Sequence, residues 1–97
     1  MKPVLVREDA VNDIEGAFIW YEAQRPGLGD GFRSALRATF ERISVNPASF
    51  QMIHRSTRRA LLRRFPYGVF YRVFPEVIVV VAVMHGRRSP ARWKSRS

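Results

Sequence analysis

The sequence predicts an α+β fold, a helical hairpin packed on a small, mainly antiparallel sheet in the order β-α-α-β-β-β. Two observations carry this. Residues 9 to 43 place apolar side chains at helical spacing in two blocks, and residues 58 to 88 contain three short apolar runs separated by the turns Pro66 to Gly68 and Pro75 to Glu76. A chain of 97 residues suits one domain, here 1–97, because a core of this size buries only about 60 % of the unfolded surface.

Pro3 to Arg7 is β-branched and apolar and opens the chain as a short strand. Glu8 and Asp9 follow where negative charge stabilises a helix N-terminus. Ala10, Ile14, Ala17, Phe18 and Tyr21 form one stripe on a helix over about 9 to 24, which leaves Asp13, Glu15 and Glu22 off the stripe and in water. Arg25-Pro26-Gly27-Leu28-Gly29 breaks that helix; Gly27 and Gly29 are turn residues rather than a phosphate cradle, which would need a preceding strand. A second stripe, Phe32, Ala35, Leu36, Phe40 and Ile43, ends before Asn46-Pro47 and completes an antiparallel pair of helices.

Residues 46 to 57 lack a period and are expected to be a loop, with Phe50, Met52 and Ile53 turned inward and His54 solvated. Arg58 to Phe65 carries arginine on both parities and suits a charged edge strand. Tyr67 to Phe74 alternates, with Tyr67, Phe70, Tyr71 and Phe74 expected in the core. Val77 to Met84 is apolar on both parities, the pattern of a strand covered on both faces and paired on both sides, with the N-terminal strand as its second neighbour. The tail from Lys94 to Ser97 is expected to fray.

Charge is divided unevenly along the chain. Residues 1 to 41 hold five Lys or Arg against seven Asp or Glu, whereas residues 42 to 97 hold twelve against one, within a net charge of +9. Such a cationic half attracts phosphate, acidic proteins or anionic surfaces. Lys94 is its only lysine, so forked hydrogen bonding by guanidinium dominates over diffuse charge. Without cysteine there are no disulfides or thiolate metal sites, and two histidines make a poor zinc shell; no metal or cofactor is expected. The N-terminus lacks the apolar core of a signal peptide, and no run approaches the roughly 20 residues that span a bilayer, so a cytoplasmic protein without a membrane partner is expected.

Four pieces, WYEAQRPGLGDGF (Trp20 to Phe32), RRALLRRFPYGVFYRV (Arg58 to Val73), VAVMHGRRSPARW (Val81 to Trp93) and the order of elements, resemble the ParE/RelE superfamily of toxins from bacterial type II toxin-antitoxin systems. The resemblance implies a toxin held inactive by a cognate acidic antitoxin. Its ParE branch is associated with poisoning DNA gyrase, and its RelE branch with cutting mRNA in the ribosomal A site.

Cutting RNA requires a base for the 2′-hydroxyl, an acid for the leaving oxygen and cations for the phosphorane. His85, with Arg63, Arg64, Arg72 and Arg87 as cradle, are the candidates; Glu76 is the only carboxylate after Glu41. RelE-like nucleases commonly carry a late His, Tyr or both, and here no tyrosine follows Tyr71. The Gly-containing helix connection and the HGRR ending resemble the ParE branch more closely, which implies gyrase binding without chemistry. Candidates for target or antitoxin contact are Arg58, Arg59, Arg63, Arg64, Arg87, Arg88, Trp20 and Trp93. The simpler alternatives are a strand-end hydrogen bond for His85, edge solubility for the arginines, and packing back on the sheet for Trp93.

Overall fold

The computed structural model describes residues 2–86 and 90–96. In chain order it contains β1 (Val4–Val6), α1 (Glu8–Gln24), α2 (Leu28–Val45), a 3₁₀ turn (Pro47–Ser49), β2 (Gln51–His54), β3 (Thr57–Leu61), β4 (Tyr67–Val73), β5 (Ile78–His85) and α3 (Pro90–Arg96). The five strands form one sheet in the order β1-β5-β4-β3-β2, with β1 parallel to β5 and the other pairs antiparallel. The expected α+β hairpin-on-sheet architecture is present.

Each helix follows from its stripe. Ala10, Ala17 and Tyr21 of α1 and Phe32, Ala35, Leu36 and Ile43 of α2 are buried against Val69, Tyr71, Ile78, Val80 and Val83 of the sheet. The α1–α2 turn needs Gly27, whose φ of 90° is open to glycine at little cost. Glu22 closes the same turn, its carboxylate accepting the Gly27 and Gly29 amides at 2.9 and 3.0 Å. Expected in water, Glu22 instead satisfies amides that the start of α2 leaves without helical partners.

β5 is an interior strand, paired with β1 on one side and β4 on the other, and is buried from Ile78 to Met84, as its two-parity apolar run predicts. Tyr71 pairs with Val80 and Phe70 with Ala82, so Val81 is an extra residue in the ladder. The bulge turns both Val81 and Ala82 to the face away from the helical hairpin, where they pack with Phe70, Val79, Met84 and Trp93.

That second face is covered by α3, a helix absent from the expected order of elements. Trp93 stacks on Phe70 with centroids 4.9 Å apart and planes at 21°. Lys94 to Arg96, expected to fray, are the last residues of this helix. Arg96 anchors it by donating to Asp13 at 2.6 Å and to the Val81 carbonyl at 3.3 Å. Asp13, placed in water by its position off the stripe, also accepts the Val83 amide at 3.0 Å. The reason is topological. β1 pairs with β5 only from Ile78 to Val80, and the bare edge beyond it exposes main-chain groups that side chains satisfy.

Two further expectations give way. The stretch expected as a loop contains β2, which pairs with β3, so Arg58 and Arg59 lie on an interior strand and the sheet edge is Gln51–His54. Within β2, Met52 is 50 % exposed rather than turned inward. His54 is half-buried, its ring 6.0 Å from that of Trp93, rather than solvated. Four residues are too few for a period to declare itself.

Candidate functional site

Only part of the expected arginine cluster faces outward. Arg58 on β3 donates to the carbonyls of Ala48 and Phe50 at 3.2 and 2.7 Å, tying the 3₁₀ turn and the start of β2 to the sheet. Arg59 crosses β4 and donates to the Gly86 carbonyl at 2.8 Å. Gly68 permits the crossing, because a Cβ there would lie 3.1 Å from Arg59 Cγ. Both guanidiniums therefore hold main chain in place. Arg63 and Arg64, between β3 and β4, are exposed. Arg64 has φ of 68°, a left-handed conformation that costs a residue with a Cβ more than glycine. Arg87 and Arg88 lie outside the described residues.

At the C-terminal end of β5, Tyr67 and His85 are cross-strand partners with rings 6.2 Å apart. They border a hollow of about 440 Å³ completed by Trp20, Tyr21 and Pro66. Trp20 is 57 % exposed and meets Tyr21 edge-on at 5.1 Å. Tyr67 and Tyr21 continue inward as an aromatic cluster with Phe32 and Phe65. Burial, with Tyr67 as the lesser cause, raises the Tyr21 hydroxyl above its ordinary range. Tyr67, expected in the core, reaches the rim because it stands next to Pro66 at the very start of β4.

Arg72, Arg63 and Arg64 are separated from this hollow. Arg72 lies five residues along β4 from Tyr67, about 17 Å at strand rise, and its guanidinium sits 5.4 Å from the Phe74 ring. Arg63 and Arg64 line a different hollow, against Ser34, Ala35, Ala38 and Arg42 of α2. His85 and the pair Arg63 and Arg64 line separate hollows. Trp93 takes the packing role, with 6 % of its surface exposed.

A second structural knot supports this face. The buried Tyr71 donates its hydroxyl to the Pro47 carbonyl at 2.6 Å. Burial pushes its pKa up to about 12, with Arg58 pulling the other way. Arg42 donates to Thr39 Oγ1 and the Leu61 carbonyl and lies over the Phe50 ring.

The family model described as the ParE toxin of the type II toxin-antitoxin system parDE matches residues 4–90. The chain belongs to that family. It is 31 % identical over 86 residues to Toxin ParE2 of Mycobacterium tuberculosis, in each of two strains, covering 88 % of this chain and 82 % of the relative. Its fold is similar to a chain of the chromosomal ParDE system from P. aeruginosa, with a TM-score of 0.77 at 15 % identity over 88 % of this chain and 96 % of that one. It is also similar in fold to the isolated E. coli RelE toxin, with a TM-score of 0.67 at 18 % identity over 98 % and 95 % of the two chains. Membership makes this ParE-family chain the toxin component of a type II system, and the family implies an antitoxin partner. Among the described residues no helix is long and apolar enough to cross a membrane.

Proposed function

We propose that this protein acts in the cytoplasm as a single-domain toxin that inhibits DNA gyrase by direct binding and is neutralised by a cognate acidic antitoxin. The observation that carries the reading is the dispersal of the described cationic candidates Arg63, Arg64 and Arg72. A phosphorane needs cations within hydrogen-bond reach of one phosphate and of a proton donor. Here Arg72 is about 17 Å along the strand from the His85 end, and Arg63 and Arg64 line a hollow against α2 instead. An exposed Trp20 beside Tyr67 and His85 suits protein contact, since aromatic anchors dominate interface energetics. Supercoiling assays with purified toxin test it. Inhibition or trapped cleaved DNA is expected, and unaffected gyrase refutes it.

One observation favours a second reading as a ribosome-dependent mRNA endonuclease. Tyr67 stands opposite His85, so a tyrosine missing from the C-terminal sequence is supplied from a neighbouring strand. Primer extension on mRNA in a translating extract separates the readings: new 5′ ends that disappear with His85→Ala and Arg63→Ala would establish cleavage.

A further inference from the structure

The exposed side of α1 carries a glycine that the fold does not require. Gly16 lies in the middle of the helix, where glycine is a poor choice because its backbone gives up more freedom than that of alanine. A Cβ at this position would meet no atom within 4 Å, so no neighbour in the chain excludes a side chain there. The open space belongs to a hollow of about 270 Å³ between α1, the end of β5 and α3, lined among others by Asn12, Gly16, Tyr67, His85 and Arg92. Tyr67 and His85 also border the hollow that holds Trp20, so the two are lobes of one cleft. Asn12, Gly16 and Trp20 recur at every fourth position and run along one side of α1 for about 12 Å.

The two ends of the cleft differ in chemistry. One presents the exposed ring of Trp20, set edge-on to Tyr21, beside Pro66. The other holds the Asn12 amide and the Arg92 guanidinium. Asp13 also lines this second lobe, but its carboxylate is taken up by Arg96 and the Val83 amide. Ion pairs among the described residues involve Arg96 with Asp9 and Asp13, so the charge of Arg92 is left to the cleft. Between the ends stand the Tyr67 hydroxyl and the His85 imidazole, polar groups on cross-strand partners.

We infer that this cleft binds a mononucleotide, its base stacked on Trp20, its sugar over Gly16 against Tyr67 and His85, and its phosphate on Arg92 and Asn12. Each part answers one observation. An exposed indole face stacks any base, because every base has a π-face. The fork of a guanidinium matches the oxygens of a phosphate. A helix backbone bare of side chain at Gly16 lets the sugar approach closely, which gives the mid-helix glycine its use. One aromatic end and one cationic end about 12 Å apart suit a single nucleotide rather than a strand, which would need the pattern repeated. The inference goes beyond the toxin reading and does not rest on gyrase or on an antitoxin.

The test is an NMR titration of the full ¹⁵N-labelled chain with AMP, alongside adenosine, inorganic phosphate and a 5′-phosphorylated hexanucleotide. Shifts centred on Gly16, the Trp20 indole, Tyr67 and His85 are expected for AMP, with adenosine and phosphate each binding at least about fivefold more weakly. Gly16→Leu puts a side chain into the cleft and should lower AMP affinity about tenfold while melting no lower than wild type, because leucine is the better helix former. That pairing separates a blocked cleft from a lost fold. Arg92→Gln should weaken AMP about fivefold and leave adenosine unchanged, since the guanidinium meets only the phosphate. Unchanged AMP affinity in Gly16→Leu, AMP shifts centred on Arg63 and Arg64, or phosphate binding as tightly as AMP would overturn the inference. So would a hexanucleotide whose affinity depends on Gly16 more strongly than that of AMP. Neither gyrase nor antitoxin enters this experiment, so a negative supercoiling result and a negative titration are separate failures.

Discussion

Asp13 offers the sharpest test of how the sheet is completed. Its carboxylate is 9 % exposed and accepts the Val83 amide as well as Arg96, itself 18 % exposed. Replacing it with alanine removes the nearest carboxylate from Arg96, which keeps the Val81 carbonyl and the more distant, exposed Asp9, and leaves a main-chain amide without its partner. Breaking one side of a buried pair costs about 3–5 kcal/mol, and partial access of Arg96 to water places this case near 3. For a domain of this size that corresponds to a fall in Tm of roughly 12–24 °C. Asp13→Asn keeps an oxygen for Val83 and loses only the charge, so about 1–2 kcal/mol is expected. Urea denaturation of the two variants, of Arg96→Gln and of the double variant gives the coupling energy. Hydrogen exchange then reports whether the Val83 amide loses protection in Asp13→Ala and keeps it in Asp13→Asn. If Asp13→Ala lies within about 0.5 kcal/mol of wild type, the range of ordinary surface substitutions, the side-chain completion of the β5 edge is refuted.

Three other perturbations have defined outcomes. Tyr71, raised from 10.0 to about 12, contributes stability that is fully present below pH 10 and lost as pH rises toward 12; the loss amounts to roughly 3 kcal/mol. Tyr21 shifts in the same direction, and Tyr71→Phe should flatten the alkaline limb of stability measured against pH. Glu22→Ala removes the acceptor of two amides in the α1–α2 turn and should cost about 1–3 kcal/mol in urea denaturation, whereas Glu22→Gln should cost less. Trp20→Ala should change stability by less than about 1 kcal/mol because the ring is mostly exposed, while lowering gyrase inhibition at least tenfold; an undiminished effect on supercoiling would remove Trp20 from the contact surface.

The two helices and β5 were legible because each carries a pattern long enough to read: five apolar positions on α1, five on α2, and an unbroken apolar run on β5. Short elements were not. β2 has four residues and β3 follows it directly, so arginines on both parities of residues 58 to 65 suggested an edge when they lie beside one. α3 has seven residues and depends on Trp93 and Arg96 finding Phe70 and Asp13, contacts separated by 23 and 83 positions that no local pattern encodes. Isolated helices of this length are marginal in water, so α3 is a product of the sheet rather than of its own propensity.

The arginines show why charge composition locates the cationic half of the chain but not which of its arginines face outward. Arg42, Arg58 and Arg59 donate to carbonyls, and Arg96 to both a carbonyl and a carboxylate. In a half-chain with one acidic residue, main-chain oxygens are the acceptors available to a planar fork of five donors. Bonding to a carbonyl fixes a guanidinium without cancelling its charge. The anchored arginines therefore still contribute to the cationic field, while exposed residues such as Arg63 and Arg64 are the ones accessible to short-range contact. Association rate should depend on the sum of these charges and dissociation rate on the few that touch, which is why anchored and outward-facing arginines are equivalent in a sequence count and different in a complex.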